Sequence, residues 1–271
     1  MKQFLALPAV ALLALPIHAQ DPAAAPVAKP VDPIVAKLSE SLPKILDCKW
    51  EGNHSFSAAK ASEGTITGTL NVTFQDKKHF KLGFDVKMKP GETAAAAGEA
   101  EQNFTGNMFA DGTHLWFISA IVTEQTGMDG IKVELAVIEE MIPAMLSQMT
   151  GGGMSGEARD IPTMIQGAVE GYTLKEEGST EALRRIVFEG EGWKGFGQFD
   201  AKCWFPMAVQ VGSEAEGAQI HFTTSAFNLK DAFAEGTFAA TGVDATKVMD
   251  MTGMIRASMP ASGGGGDDLE F

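Results

Sequence analysis

The sequence predicts an α+β fold in which an antiparallel β-sheet carries one apolar face and helices cover it. Three observations predict it. First, apolar residues fall on even positions along two adjacent stretches: Ile66, Leu70, Val72 and Phe74, then Phe80, Leu82, Phe84, Val86 and Met88. Polar residues, mostly threonine and lysine, stand between them. Each strand therefore has a dry face and a wet one, as in a sheet covered on one side only. Second, the segment 131–169 changes period, with Ile138, Ile142 and Leu146 recurring every fourth residue as on a helix. Third, alternating stretches resume after it, so the order is helix, strands, two helices, strands.

The elements follow in order. Residues 1–19 have a short positive start at Lys2, an apolar run from Phe4 to Leu15, and a small residue, Ala19, at the end. That is the pattern of a cleaved export signal, with the cut after Ala19. The run is shorter than the roughly 20 residues that cross a bilayer. No cysteine follows the cut, so the expectation is a soluble exported chain without an N-terminal lipid anchor. Residues 20–31 are an Ala/Pro-rich spacer. Asp32-Pro33 is a helix start, with aspartate as cap and proline in the first turn. Ile34, Val35, Leu38, Leu42, Ile45 and Leu46 form one stripe, and Pro43 is expected to kink the helix or end it. Trp50, His54, Phe56 and Ala58 then alternate as a strand.

After the two strands at 66–88, "GETAAAAGEAEQ" (91–102) reads as a small-residue loop. Strands at 104–108 and 114–119 flank Asp111-Gly112, a hairpin turn because glycine accepts the positive φ that such a turn needs. The segment 123–130 is expected to end this group of strands. Two Met-rich helices, 133–149 and 160–169, are joined by the flexible "GGGMSG" (151–156). Methionine adapts to surfaces of varied shape, so they read either as a movable lid or as plain helix-on-sheet packing. Strands are then expected at 172–177, 183–190, 195–211, 218–229 and 237–252. One domain, 32–255, is followed by a glycine-rich acidic tail, 256–271.

Composition narrows the function. The formal charge is −14, which argues against nucleic acid and anionic lipid headgroups, since both need clustered Lys and Arg. The acidity suits a protein that handles lipid without adsorbing to membranes; it equally suits simple solubility. Two cysteines, Cys48 and Cys203, in an exported chain suggest a disulfide, the alternative being two buried inert thiols. Reactive groups do not converge. His54, His79, His114 and His221 are scattered without metal-ligand spacing, and His54 and His221 fall on apolar strand faces, where a satisfied core histidine is the commoner outcome. There is no G-x-S-x-G elbow, and Glu139 and Glu140 point to different sides of a helix. Neither a catalytic residue, a cofactor nor a metal is expected.

"FADGTHLWFIS" (109–119) resembles the "sDGk-LW-Y" hairpin of LolA-type periplasmic lipoprotein carriers. Other pieces match in order: an N-terminal helix, a first strand "DCKWEGNHSFSA", a "GTL-V" strand at 68–72, an "F-L-F" strand at 80–84, helices after the hairpin, and a closing "TFAATGVD---VMD". The resemblance implies a half-open antiparallel β-barrel, a strongly curved sheet whose concave apolar face is covered by helices, with the helical lid near 131–169. It implies a monomeric periplasmic carrier that holds the acyl chains of lipoproteins or other lipidated cargo. Such a carrier takes cargo from an inner-membrane release complex to an outer-membrane acceptor. The cavity residues would be Leu70, Val72, Phe74, Phe80, Leu82, Phe84, Val86, Trp116, Met141 and Met145, although Trp116 also reads as ordinary core. The chain departs from the family's pattern: "FQDKKHF" (74–80) lacks the Arg-Pro pair that helps hold the lid, Leu82 replaces a tryptophan, and Thr241-Gly242 stands for a Pro-Gly. A lipid- or lipoprotein-sensing module on the same fold is the second reading. Such sensors usually carry another partner-binding domain, and the short tail here favours the carrier.

Overall fold

A computed structural model describes residues 32–60, 62–140, 171–190 and 192–258. Within them, helix α1 (Pro33–Leu46) precedes β1 (Lys49–Lys60), β2 (Gly64–Asp76) and β3 (His79–Pro90). Next come α2 (Glu92–Ala96), β4 (Gln102–Asp111), β5 (His114–Ser119), α3 (Ala120–Thr126) and β6 (Gly130–Glu134). The second half holds β7 (Thr173–Glu176), β8 (Leu183–Gly190), β9 (Trp193–Asp200), β10 (Pro206–Ser213), β11 (Ala218–Lys230), β12 (Val248–Asp250) and α4 (Thr252–Ser258). The strands make one curved, unclosed sheet in the order β12-β6-β5-β4-β3-β2-β1-β11-β10-β9-β8-β7. Every pairing is antiparallel except β12 with β6. This is the expected α+β half-barrel.

Local chemistry explains the element ends. Asp32 Oδ1 accepts the N–H of Ile34 at 2.7 Å and caps α1. Val35 and Ile45 of the apolar stripe are buried. The helix runs to Leu46, so Pro43 does not end it. Two buried clusters lie on the apolar face of the sheet. Ile45, Trp50 and Phe205 form one, with Val72, Phe74 and Phe227 packed against it. Phe188, Trp193, Val211 and Ala218 form the other. A third cluster, Phe109, Trp116 and Val248, lies on the opposite face beneath Ala240 and Val243.

Several elements differ from expectation. The strands do not end at 123–130: α3 occupies Ala120–Thr126, and β6 continues the sheet through residues expected to be helical. The helical period begins only at 135 and is followed to 140. The stretch 195–211 is two strands, not one. Asp200 Oδ1 accepts the N–H groups of Lys202 and Cys203, and Asp200 and Phe205 close the turn between backbone N–H and carbonyl at 2.9 Å. Of 237–252, only Val248–Asp250 is a strand. The loop 91–102 contains the short helix α2. The export signal 1–19, the spacer 20–31, most of the helical lid with its glycine joint, and the tail from 259 lie outside the described residues.

Candidate functional site

The strand register turns the alternating sequence into a continuous apolar face. One row crosses seven strands: Ile131, Phe117, Met108, Leu82, Val72, Gly52 and Phe227. A second crosses eight: Phe104, Val86, Gly68, Phe56, Phe222, Val209, Gly197 and Ile186. Glycines in these rows make room for neighbouring rings. A Cβ at Gly68 would meet the Phe56 ring at 2.7 Å, and one at Gly106 would meet Phe84 at the same distance. Phe84 in turn stacks on Phe117, with centroids 5.7 Å apart.

Of the expected cavity residues, Leu70 is buried, and Val72 and Phe74 pack into the Ile45–Trp50–Phe205 cluster. Phe80, Leu82, Phe84 and Val86 share the same face and are only half-buried, as are Phe104, Met108 and Phe117. Met141 and Met145 lie outside the described residues. Trp116 is on the opposite face, against expectation, and the reason is loop length. Ala110 pairs with Leu115 across a two-residue loop, so even positions of β4 stand opposite odd positions of β5. The dry face therefore continues through Leu115 and Phe117. Phe117, Met108, Phe104 and Ile131 are face residues that the expected set omitted. The signal for Phe117 was present in the alternation, once the parity change across the hairpin is counted.

Trp116 is held on its own side. Its Nε1 donates to Asp111 Oδ2 at 2.7 Å, its ring stacks on Phe109 at 5.7 Å, and Lys132 Nζ lies 5.4 Å from its centroid. Asp111 Oδ1 also accepts the N–H groups of Thr113 and His114. Partial burial works against the Asp111 carboxylate, but these N–H donors outweigh it and hold the group below its usual range. Gly112 has φ +97°, as the turn requires. Further along this face, a cavity of about 650 Å³ is lined by Thr69, Asn71, Asp85 and Asn107, with Ile118 and Val243 at its side.

His54 is a satisfied core histidine. Thr224 Oγ1 donates to the Pro206 carbonyl at 2.8 Å, so that oxygen accepts from His54 Nδ1 at 3.0 Å. His54 is buried, which lowers its pKa to about 4. His221 is on the other face, paired with Ser57 and Gln210, not on the apolar one. Cys48 and Cys203 are free thiols, not a disulfide. Both pack against the Ile45–Trp50–Phe205 cluster. Burial, assisted by the Asp200 carboxylate that accepts the Sγ hydrogen at 3.2 Å, pushes Cys203 up to about 11. A thiol in that state is a poor nucleophile.

Beside them a second cavity, of about 410 Å³, opens between α1 and the turn that joins β9 to β10. Among the described residues no group of His, Cys, Asp and Glu could hold a metal ion, and no helix is long and apolar enough to cross a membrane.

No family model and no curated protein matches the chain. Solved structures overlap it at low identity. An uncharacterized conserved protein from Thermus thermophilus is 9% identical, with TM-score 0.40 over 80% of this chain and 99% of that one. A LolA superfamily protein from Nitrosomonas europaea is 10% identical, with TM-score 0.29 over 75% and 96%. The MucA/MucB complex of Pseudomonas aeruginosa gives 10% identity and TM-score 0.34 over 75% of this chain. There the chain spans 61% of the matched protein, less than two thirds of its length. The fold is defined by its own strand order and one-sided sheet rather than by these overlaps.

Proposed function

We propose that the protein is an exported carrier that holds the acyl chains of lipoproteins or other lipidated cargo against the apolar face of its sheet. The observation that carries this reading is the half-buried row Phe117–Met108–Leu82–Val72, which continues without a charged residue from β6 to β11. An extended apolar surface left partly open to solvent is the kind that marks a ligand-binding groove. Each methylene of a bound chain contributes about 0.8 kcal/mol when it leaves water, so a few buried methylenes give useful affinity without catalysis. In this reading cargo is received from a release complex at the inner membrane and delivered to an acceptor at the outer membrane.

The test is titration of a fluorescent fatty acid or acylated peptide into wild type, Leu82→Glu and Thr67→Glu. A carboxylate at 82 would stay wet and exclude hydrocarbon from the row. Its cost to binding equals at least two lost methylenes, a weakening of about tenfold or more. Thr67 is exposed on the wet face opposite Lys87, so its variant should bind as wild type does. Circular dichroism checks that each variant is folded. A wild type without saturable binding would end the carrier reading.

A further inference from the structure

The cavity beside α1 has a charge that the rest of the chain does not prepare for. The protein carries a formal −14, yet four cations line this one space: Lys37, Lys44, Arg184 and Lys202. They come from three places in the sequence. Lys37 and Lys44 are seven residues apart and so share a face of α1 two turns apart. Arg184 comes from β8 and Lys202 from the turn after β9. Glu40 is the one acid among the described residues of the lining. Arg184 bonds Glu176 at 3.1 Å, and that carboxylate also feels Lys37, as Asp200 feels Lys202; among the described residues Lys37, Lys44 and Lys202 make no direct ion pair.

Beside Ser41 and the two thiols, the remaining wall is apolar. Ile45, Phe227 and Leu229 line it, and Leu229 is 57% exposed. Phe227 and Ile45 also belong to the cluster that takes in Val72 and Phe74, so this wall is continuous with the proposed acyl face. Trp204 lines the cavity too, with Lys37 Nζ 5.9 Å from its ring centroid. Its φ of 58° makes it the one described non-glycine residue in the left-handed region, a conformation that persists only where the surroundings impose it.

Cations on one side and a continuous apolar path on the other match an amphiphile of opposite charge. We infer that this cavity receives the anionic head, a carboxylate or phosphate monoester, of a single-chain lipid whose hydrocarbon runs onto the apolar face. The inference rests on the acyl-binding reading and adds to its ligands single-chain lipids with a free anionic head. The four cations supply attraction and orientation, and the Ile45–Phe227–Leu229 wall takes the first methylenes.

The test uses three probes of equal chain length, decanoate, decyl phosphate and decanol, titrated calorimetrically into the purified protein. Decanoate, decyl phosphate or both should bind about fivefold or more tighter than decanol at low ionic strength, since exposed charge pairs each contribute modestly. The preference should shrink in about 0.5 M salt, where the Debye length is only a few ångströms. The double variant Lys37→Gln/Lys44→Gln should lose most of the preference and keep its decanol affinity, which also shows that it is folded. The relative affinity of the two anions identifies the head as carboxylate or phosphate. Decanol binding as tightly as both anions, or an unchanged preference in the double variant, would overturn the head site and leave the carrier reading intact. Failure of all three probes to bind would overturn both.

Discussion

His54 sits in the middle of the dry face, between Leu70 on one side and Thr224 on the other. Its ring stacks on Phe222 at 5.4 Å and, among the described residues, makes its polar contact through Nδ1; burial holds it neutral. That arrangement has a pH dependence of definite sign. A free histidine titrates near 6.5 and this one near 4. Between those values the unfolded chain takes up a proton that the folded chain refuses, so His54 costs no stability above about 6.5 and lowers it as pH falls toward 4. The loss at pH 4.5 amounts to about 2 to 3 kcal/mol. Urea unfolding of wild type at pH 7 and pH 4.5 should show a drop larger by about that amount than in His54→Gln; equal drops would contradict the assignment. His54 was legible as a core histidine from its place in an alternating strand. Trp116 was legible as a strand residue but not as a resident of the wet face, because its side depends on the length of a turn rather than on its own hydrophobicity. His221 differs from expectation because it neighbours Ile220 and Phe222 in sequence but points away from both.

Strands β3 and β4 contain two glycines that look alike in the sequence and differ in consequence. A Cβ at Gly106 would meet the Ile118 carbonyl oxygen at 2.5 Å and the Phe84 ring at 2.7 Å. Backbone cannot step aside, so Gly106→Ala should destabilise by about 2 kcal/mol. At Gly83 the nearest atom is the Asn107 Oδ1 at 3.3 Å, on a side chain that can move. Gly83→Ala should be neutral, or stabilise by up to about 0.5 kcal/mol through the unfolded chain. Denaturant midpoints measure both, and equal effects would mean that the β3–β4–β5 register is not as described. Strands β2 and β3 could be read directly because both have one wet face and preserve parity across their turn. Strand β6 could not, because "IKVEL" sits against a helical run and five residues do not separate a period of two from one of 3.6. The break inside 195–211 depends on an aspartate turning the backbone at Asp200, which apolar neighbours on both sides concealed. The covering of Phe109 and Trp116 by Ala240 and Val243 uses irregular chain, which leaves no period to read.

Across the whole molecule the sheet separates two environments. One face is dry from Ile131 to Ile186, closed in part by α1 and its cluster around Trp50. The other carries threonine, asparagine and lysine, with its apolar patch at Trp116 sealed by the C-terminal segment. The dry face was legible as a pattern within single strands. The four-cation cavity was not, since Arg184 and Lys202 join the α1 lysines only when β8 and the turn after β9 are brought alongside the helix. The central claim is that hydrocarbon lies on the dry face. The most direct measurement is methyl NMR of the protein with a nitroxide-labelled fatty acid, whose unpaired electron broadens nearby signals. Methyls of Leu70, Val72, Leu82, Val86 and Ile131 should broaden, while those of Ile118, Val243 and Val248 on the opposite face stay sharp. Broadening at Ile118 and Val243 with Leu82 and Val72 untouched would place the chain on the wrong side of the sheet and contradict the account.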